Sequence, residues 1–221
     1  MATAEARLTR PRLVTRRLLL QPLCPRHAAE VFAAIDESRR TLSPWLPFVP
    51  GTRSATDTAG FIRRVSRSQH DIVWGIWMRG LPSRSAPLAA PIAVEPGGYC
   101  GSVGLHRLFR EQGIGTVGYW NRRTRERRGI ITEAVAAVLL WAAGPLGLER
   151  IAVEAATGNA ASLRVIRKLG FVREGVLRGA QRIPGRRARL DWVISSLVRG
   201  DFSRVRPRLV RFCGTARPWE F

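Results

Sequence analysis

The segment from Gly118 to Ala134 most constrains the fold, because a strand, a short turn and a helix follow one another there. Gly113–Trp120 is predicted as a strand, and Gly129 to about Ala143 carries apolar residues at the spacing of one helix face. Five arginines surround the intervening turn: Arg122, Arg123, Arg125, Arg127 and Arg128. Free N–H groups at a helix start bind phosphate, so the stretch predicts an anion site. A solvated basic loop before an ordinary amphipathic helix explains it equally well.

The rest of the chain alternates between strand-like and helix-like segments. Further strands are predicted at Leu13–Leu20, Asp71–Met78, Tyr99–Leu108, Arg150–Ala156, Phe171–Leu177 and Leu190–Leu197. Further helices are predicted from Arg26 to about Ser38, after a cap at Thr56 or Asp57, and from Asn159 to Lys168 with Gly170 as its C-cap. Leu81–Gly98, which holds four prolines, is predicted as a long exposed hairpin loop. This order predicts a mixed α/β sheet with helices on its faces.

The length of 221 residues suits one domain with tails. We expect a flexible basic N-terminus over residues 1–12, a folded domain over 13–199 and a basic extension over 200–221. No apolar run approaches the ~20 residues that span a bilayer, and the N-terminus lacks the pattern of a secretory signal, so we expect a cytoplasmic protein.

The formal net charge of +21 predicts attraction to anions, including nucleic acid or the ribosome. Lys168 is the only lysine, however, and so strong a preference for arginine is also typical of a genome-wide codon bias. The three cysteines and three histidines are scattered without metal-ligand spacing, so no metal site is expected.

Several separate motifs together resemble the GNAT superfamily of acyl-CoA-dependent N-acetyltransferases, in particular the branch that acetylates the N-terminal residue of ribosomal proteins. They are Thr15-Arg16-Arg17-Leu18, Ser43-Pro44-Trp45-Leu46-Pro47-Phe48, Gly101-Ser102-Val103-Gly104, Gly118-Tyr119-Trp120, Gly129-Ile130-Ile131-Thr132-Glu133-Ala134, Asn159 with Ser162, Leu169-Gly170-Phe171 and Asp191. Each motif is short, and the resemblance depends on their order and spacing from about Leu13 to Leu197.

The resemblance implies a central sheet of about seven strands, splayed between its fourth and fifth strands, Gly113–Trp120 and Arg150–Ala156. Acetyl-CoA would be the co-substrate and would lie in that cleft. The implied cofactor-binding residues are Val117, Gly118, Tyr119, Arg127, Arg128, Gly129, Ile130, Thr132, Asn159 and Ser162.

Candidate catalytic roles follow from the resemblance for Ser162 and from the demands of acyl transfer for Tyr119 and Glu154. Ser162 would protonate the leaving thiolate or simply bond the backbone of its helix, and a strand amide near Tyr119 would hold the oxyanion. Glu154 is the candidate base, or an ion-paired strand residue. Trp45 and Phe48 would line the acceptor site, or pack over the early helices.

Three residues depart from the family pattern. Glu126 and Ile131 occupy the phosphate loop where the family has Arg or Gln and a small residue, and Gln181 stands where many relatives have a carboxylate.

From the resemblance, the sequence predicts acetylation of a primary amine, most readily the α-amine of a protein or peptide. A small-molecule amine is the second reading, and a non-catalytic binding module, favoured by the three departures, is the third.

Overall fold

The protein is built on one nine-stranded sheet with helices against both faces. A computed structural model describes residues 8–80, 94–185 and 187–220. The strands are β1 (Arg12–Val14), β2 (Leu18–Pro22), β3 (Ile72–Arg79), β4 (Val94–Phe109), β5 (Ile114–Asn121), β6 (Arg150–Ala156), β7 (Val172–Gln181), β8 (Leu190–Val198) and β9 (Trp219–Glu220). The helices are α1 (Ala28–Glu37), α2 (Arg39–Leu42), α3 (Ala55–Arg67), α4 (Ile130–Ala143), α5 (Ala160–Leu169) and α6 (Arg199–Cys213).

The sheet has one parallel pair, and that pair parts half-way along its length. The strand order is β7-β8-β6-β5-β4-β3-β2-β1-β9, and every pair except β5–β6 is antiparallel. The β5–β6 register runs from Ile114↔Arg150 to Val117↔Val153 and stops there, although β5 stays paired with β4 and β6 stays paired with β8. The predicted splay between these two strands is therefore confirmed, and it opens a cleft beyond Val117.

Alternating side chains of the sheet supply two separate cores, one on each face. Ile72, Trp74 and Ile76 of β3 join the core under α4, whereas Val73 and Trp77 join the core under α1 and α3. Helix α4 is buried along its whole length except for its last residue, because it lies between the sheet and α6. This burial fixes the position of the α4 N-terminus beside the cleft.

Several predicted boundaries differ from the structure for local reasons. Leu13–Leu20 is two antiparallel strands, because the chain turns at Thr15–Arg17. The α3 cap is Ser54, whose hydroxyl accepts a hydrogen bond from the N–H of Asp57 (3.1 Å), and not Thr56 or Asp57.

The predicted loop Leu81–Gly98 needs correction at its C-terminal end, and the C-terminal extension contains a helix that the sequence did not indicate. Residues 94–98 belong to β4, and residues 81–93 of that loop lie outside the described residues. The tail, for which the sequence indicated no structure, forms α6, which buries Val205, Leu209 and Cys213. Among the described residues no helix is long and apolar enough to cross a bilayer.

Candidate cofactor and catalytic site

The start of α4 presents a run of unpaired backbone donors. Gly129 is the N-cap residue with φ +74°, and Arg127 also has a left-handed φ of +61°. The carbonyl of Gly129 accepts the N–H of Glu133 (3.1 Å), but within the described part of the chain no acceptor faces the N–H groups of residues 127–132. A non-glycine residue in the left-handed region costs about 1–3 kcal/mol, which is characteristic of turns held for a function. The turn thus has the donors and the dipole that suit a phosphate.

A buried ionic network holds this turn against the β1–β2 turn. Glu133, only 4% exposed, accepts hydrogen bonds from the Thr15 hydroxyl (2.6 Å), the Arg17 backbone N–H (3.1 Å) and the Arg17 Nε (2.7 Å). The Arg17 Nη2 lies 2.7 Å from the carboxylate and 3.6 Å from where a Cβ on Gly129 would stand. The Glu133 carboxylate is stabilised by the positive end of the α4 dipole, because it lies in the first turn of that helix. The Arg17 guanidinium neutralises the charge of the carboxylate. Sequence reasoning quoted these residues as motif members and missed that they interact.

The side chains of Ile131 and Glu126, two residues that depart from the family pattern, do not fill the turn before α4. Ile131 is 7% exposed and packs in the core under α4, so its bulk is accommodated inside the protein. Glu126 is exposed, one residue before the left-handed Arg127. The third, Gln181, ends β7 and donates from its Nε2 to the Arg182 carbonyl (2.9 Å).

Tyr119 and Ser162 meet where β5 parts from β6. The Tyr119 hydroxyl lies 2.8 Å from the Ser162 Oγ, and Ser162 donates its backbone N–H to the Oδ1 of Asn159 (3.1 Å). Asn159 is therefore the N-cap of α5, and it orients the first turn that carries Ser162. Burial raises the pKa of Tyr119 to about 12, so its hydroxyl remains protonated at neutral pH. The pair forms a neutral hydrogen-bonded relay beside the cleft.

Glu154 follows the last β5–β6 register pair and is held by an ion pair. Its Oε1 lies 2.5 Å from the Nη2 of Arg107, a residue with φ +48° at an irregularity of β4. The Glu154 side chain is 18% exposed and that of Arg107 58%. Arg107 therefore engages one oxygen of the Glu154 carboxylate, Oε1. Asp191, by contrast, accepts the N–H of Gly179 (2.7 Å) and has a structural role between β7 and β8.

The predicted acceptor residues lie at different depths. The Trp45 ring reaches within 3.5 Å of the position of a Cβ on Gly158, so it contacts the loop that leads from β6 into Asn159. Phe48 is 43% exposed and lies at the surface. The structure therefore brings Trp45 close to the α5 start, which carries Ser162, and leaves Phe48 as an exposed aromatic residue nearby in the chain.

Comparisons with known proteins agree with this architecture. Residues 17–172 match the family model described as "Acetyltransferase (GNAT) domain". A Bacillus subtilis (strain 168) protein named "Putative ribosomal N-acetyltransferase YdaF" is 29% identical over 172 residues, 78% of this chain and 87% of that protein.

Two solved structures share the fold over most of both chains. Mycobacterium smegmatis RimJ in complex with CoA-disulfide has a TM-score of 0.74 at 19% identity and covers 96% of this chain and 95% of its own. The microcin C7 self-immunity acetyltransferase MccE, in complex with acetyl-CoA and AMP, has a TM-score of 0.69 at 19% identity and covers 83% and 93%. The chain therefore belongs to the GNAT family of acetyltransferases, and acetyl-CoA is its co-substrate.

Proposed function

We propose that this acetyltransferase acts on the N-terminal α-amine of a protein or peptide, of the kind that ribosomal-protein acetyltransferases modify. The observation that carries acetyl transfer is the backbone at residues 127–132, whose N–H groups have no hydrogen-bond partner among the described residues, next to two parted strands and the Tyr119–Ser162 pair. The similarity to YdaF, which is named a putative ribosomal N-acetyltransferase, supports a protein acceptor over other amines. Modification of ribosomal proteins would place the reaction in the cytoplasm.

The cofactor-binding role follows from the backbone at two places. The pyrophosphate would be bound by the amides of Arg127, Arg128, Gly129, Ile130 and Thr132, with the two arginine side chains exposed around it. The pantetheine arm would bond to main-chain groups of Val117, Gly118 and Tyr119, because beyond Val117 no described strand pairs with the side of β5 that faces β6. Asn159 would contact the same arm from the α5 start.

The chemistry asks the protein for a proton acceptor, a place for the oxyanion and a proton donor. The amine loses a proton, its nitrogen bonds to the thioester carbonyl carbon, the C–S bond breaks, and the thiolate sulfur takes a proton. Ser162 would give that proton and regain one from water, while the Tyr119 hydroxyl at 2.8 Å holds the Ser162 Oγ in position. The Tyr119 amide would hold the oxyanion. Glu154 would accept the amine proton through water while Arg107 keeps its contact with Oε1, and positioning would supply much of the remaining acceleration.

The acceptor would approach past Trp45 and Phe48. Trp45 already contacts the Gly158 loop and would form the wall of the site, while the exposed Phe48 would cover an incoming peptide.

The first experiment measures acetyl-CoA binding by calorimetry and peptide acetylation by mass spectrometry. Gly129→Val should weaken cofactor binding at least ~10-fold, because it strains a left-handed turn and crowds the amides. Gly147→Val is the matched control, since Gly147 has the same φ of +74° and no neighbour within 4 Å of a Cβ. Equal cofactor affinity in the two variants would refute the placement of the phosphates.

A second set of variants tests the proton relay. Ser162→Ala should lower kcat by ~10²-fold or more while leaving the cofactor affinity within about twofold. Unchanged kcat would remove the proposed acid. Tight cofactor binding without acetylation of any peptide or small amine would identify a binding module, whereas acetylation of small amines alone would identify a small-molecule enzyme.

We further propose that the basic face of α5 and α6 contacts ribosomal or other nucleic acid. Arg204, Arg208 and Arg211 recur at i, i+4 and i+7 on α6 and are exposed, and Arg208 donates to the Lys168 carbonyl of α5 (3.4 Å). Arg204 is the member of this stripe that also pairs with a carboxylate, that of Asp201 (2.9 Å). Such a stripe lies on one side of a helix, where it can follow a phosphate backbone.

Salt-dependent RNA binding tests this surface. Replacing the three α6 arginines by glutamine should reduce the slope of log K against log salt by about 2–3. The control replaces Arg63, Arg64 and Arg67 of α3 by glutamine. These three arginines are also exposed, so their replacement removes the same charge from another surface. If both triple variants lose affinity equally, binding reflects net charge alone and the proposed surface is wrong.

A further inference from the structure

A cavity of about 320 Å³ lies outside the cofactor cleft, where the turn between β1 and β2 meets the end of β3 and the chain after α6. Its polar walls come from Thr15, Arg16, Arg79, Thr215 and Arg217. Three arginines from three separate parts of the sequence therefore line one space. No carboxylate side chain is among the described residues that line it.

The cavity walls are held in place by backbone hydrogen bonds. Arg79 donates its Nη1 to the Thr15 carbonyl (2.6 Å) and its N–H to the Arg17 carbonyl (2.8 Å), which orients its guanidinium at the end of β3. Arg16 donates its backbone N–H to the Cys213 carbonyl (2.8 Å), so the end of α6 is bound to the same turn. The Val14 N–H donates to the Pro218 carbonyl and so binds the chain after α6 to β1. Arg16 and Arg217 remain exposed and able to reach an occupant.

The cavity is distinct from the cofactor cleft. Thr15 lies between the two: its carbonyl faces Arg79, and its hydroxyl donates to Glu133 in the first turn of α4 (2.6 Å). The residues after α6 that form one wall lie outside the segment 17–172 that the family model matches. The volume falls at the lower end of the range for small-molecule sites.

We propose that this cavity binds the phosphate group of a small phosphorylated ligand. Three like charges in one cavity repel one another, and a doubly charged oxyanion relieves that repulsion while accepting hydrogen bonds from several guanidinium groups. A phosphate fits better than a carboxylate because it offers more acceptor oxygens and about twice the charge. The proposal does not depend on the acetylation reaction.

The test is a calorimetric titration of the full chain with inorganic phosphate, after saturation with CoA so that the cofactor site is filled. We expect saturable binding that is at least ~10-fold tighter than that of acetate at equal ionic strength. Arg16→Gln and Arg217→Gln should each weaken phosphate binding by ~10-fold. Arg63→Gln and Arg67→Gln remove the same charge from exposed positions on α3 that do not line the cavity and should change it less than twofold.

Two results would overturn the proposal: the absence of saturable phosphate binding, or an equal loss in the lining and the control variants. Should CoA itself fail to bind, the titration is made on the free chain and on Gly129→Val, whose unchanged phosphate affinity would still support the cavity. Arg217→Gln lies in the segment after α6 and keeps the test available if Arg16→Gln does not fold.

Discussion

Removal of the Glu133 carboxylate should destabilise the protein more than removal of other ion-paired carboxylates on its surface. Glu133 is 4% exposed and accepts three hydrogen bonds, two of them from Arg17 and one from Thr15. Glu133→Ala leaves the 2%-exposed Thr15 hydroxyl without its short acceptor and leaves Arg17 without a counter-charge.

The magnitude can be bounded from this geometry. Breaking a fully buried ion pair costs about 3–5 kcal/mol, because one charge is left uncompensated. The Arg17 side chain is 37% exposed, so water will partly solvate the guanidinium, and Thr15 can still bond the Leu18 carbonyl at 3.4 Å. We therefore expect a loss of about 2–4 kcal/mol, and a loss of ~3 kcal/mol would lower Tm by about 6–12 °C in a domain of this size.

Thermal and urea unfolding of wild type, Glu133→Ala and Glu133→Gln will measure this loss. The control is Glu149→Ala, whose ion pair with Arg199 is exposed (56% and 82%) and should contribute less than ~1 kcal/mol. Glu133→Gln keeps the shape and one acceptor oxygen and should lie between the other two variants. A Glu133→Ala loss no larger than that of Glu149→Ala would refute the idea that this network holds the start of α4.

Two further predictions concern the tyrosines and the cysteines. Burial raises the pKa of both tyrosines, to about 12 for Tyr119, so the folded protein should show little tyrosinate absorbance at pH 10, where the tyrosines of the unfolded chain are about half ionised. The unfolded chain releases its tyrosine protons near pH 10, so above that pH the folded state binds more protons than the unfolded state. The free energy of unfolding should therefore fall as the pH rises above 10. Substantial tyrosinate absorbance at pH 10, in protein that circular dichroism shows to be folded, would contradict this prediction. Burial likewise raises the pKa of the Cys100 thiol to about 11 and that of Cys213 to about 12. A thiol reagent should therefore label only Cys24 rapidly in the native protein. Labelling of more than one thiol before unfolding would show that the core opens.

Elements whose signals are local could be predicted from the sequence. Gly129 and Gly170 bound α4 and α5 as expected, and Asn159 caps α5, because left-handed glycines and capping side chains act within one turn of their own position. The division of Leu13–Leu20 into two strands was missed, since its apolar run continues on both sides of the turn. Helix α6 was missed because its arginines obscure the apolar stripe of Val205, Leu209 and Cys213.

The candidate site shows the same division. Its residue types and the family to which they belong are readable in the sequence, because the motifs recur in a set order. The burial and the contacts of each side chain cannot be predicted from the sequence. Ile131 has the bulk that would obstruct a phosphate loop, and only its burial in the core under α4 shows that the turn remains open.

By itself the sequence determined the alternation of strands and helices, the glycine at the head of α4 and the family. Only the tertiary structure decided which groups meet: Thr15 with Glu133 across 118 positions, Arg107 with Glu154 across 47, and Tyr119 with Ser162 across 43. The physical reason is the sequence distance over which each signal acts. Hydrophobic periodicity and capping residues predict only the local structure of residues within a turn or two. Contacts across a sheet depend on strand order, on register and on the point where β5 leaves β6, and these are set by the packing of the whole chain.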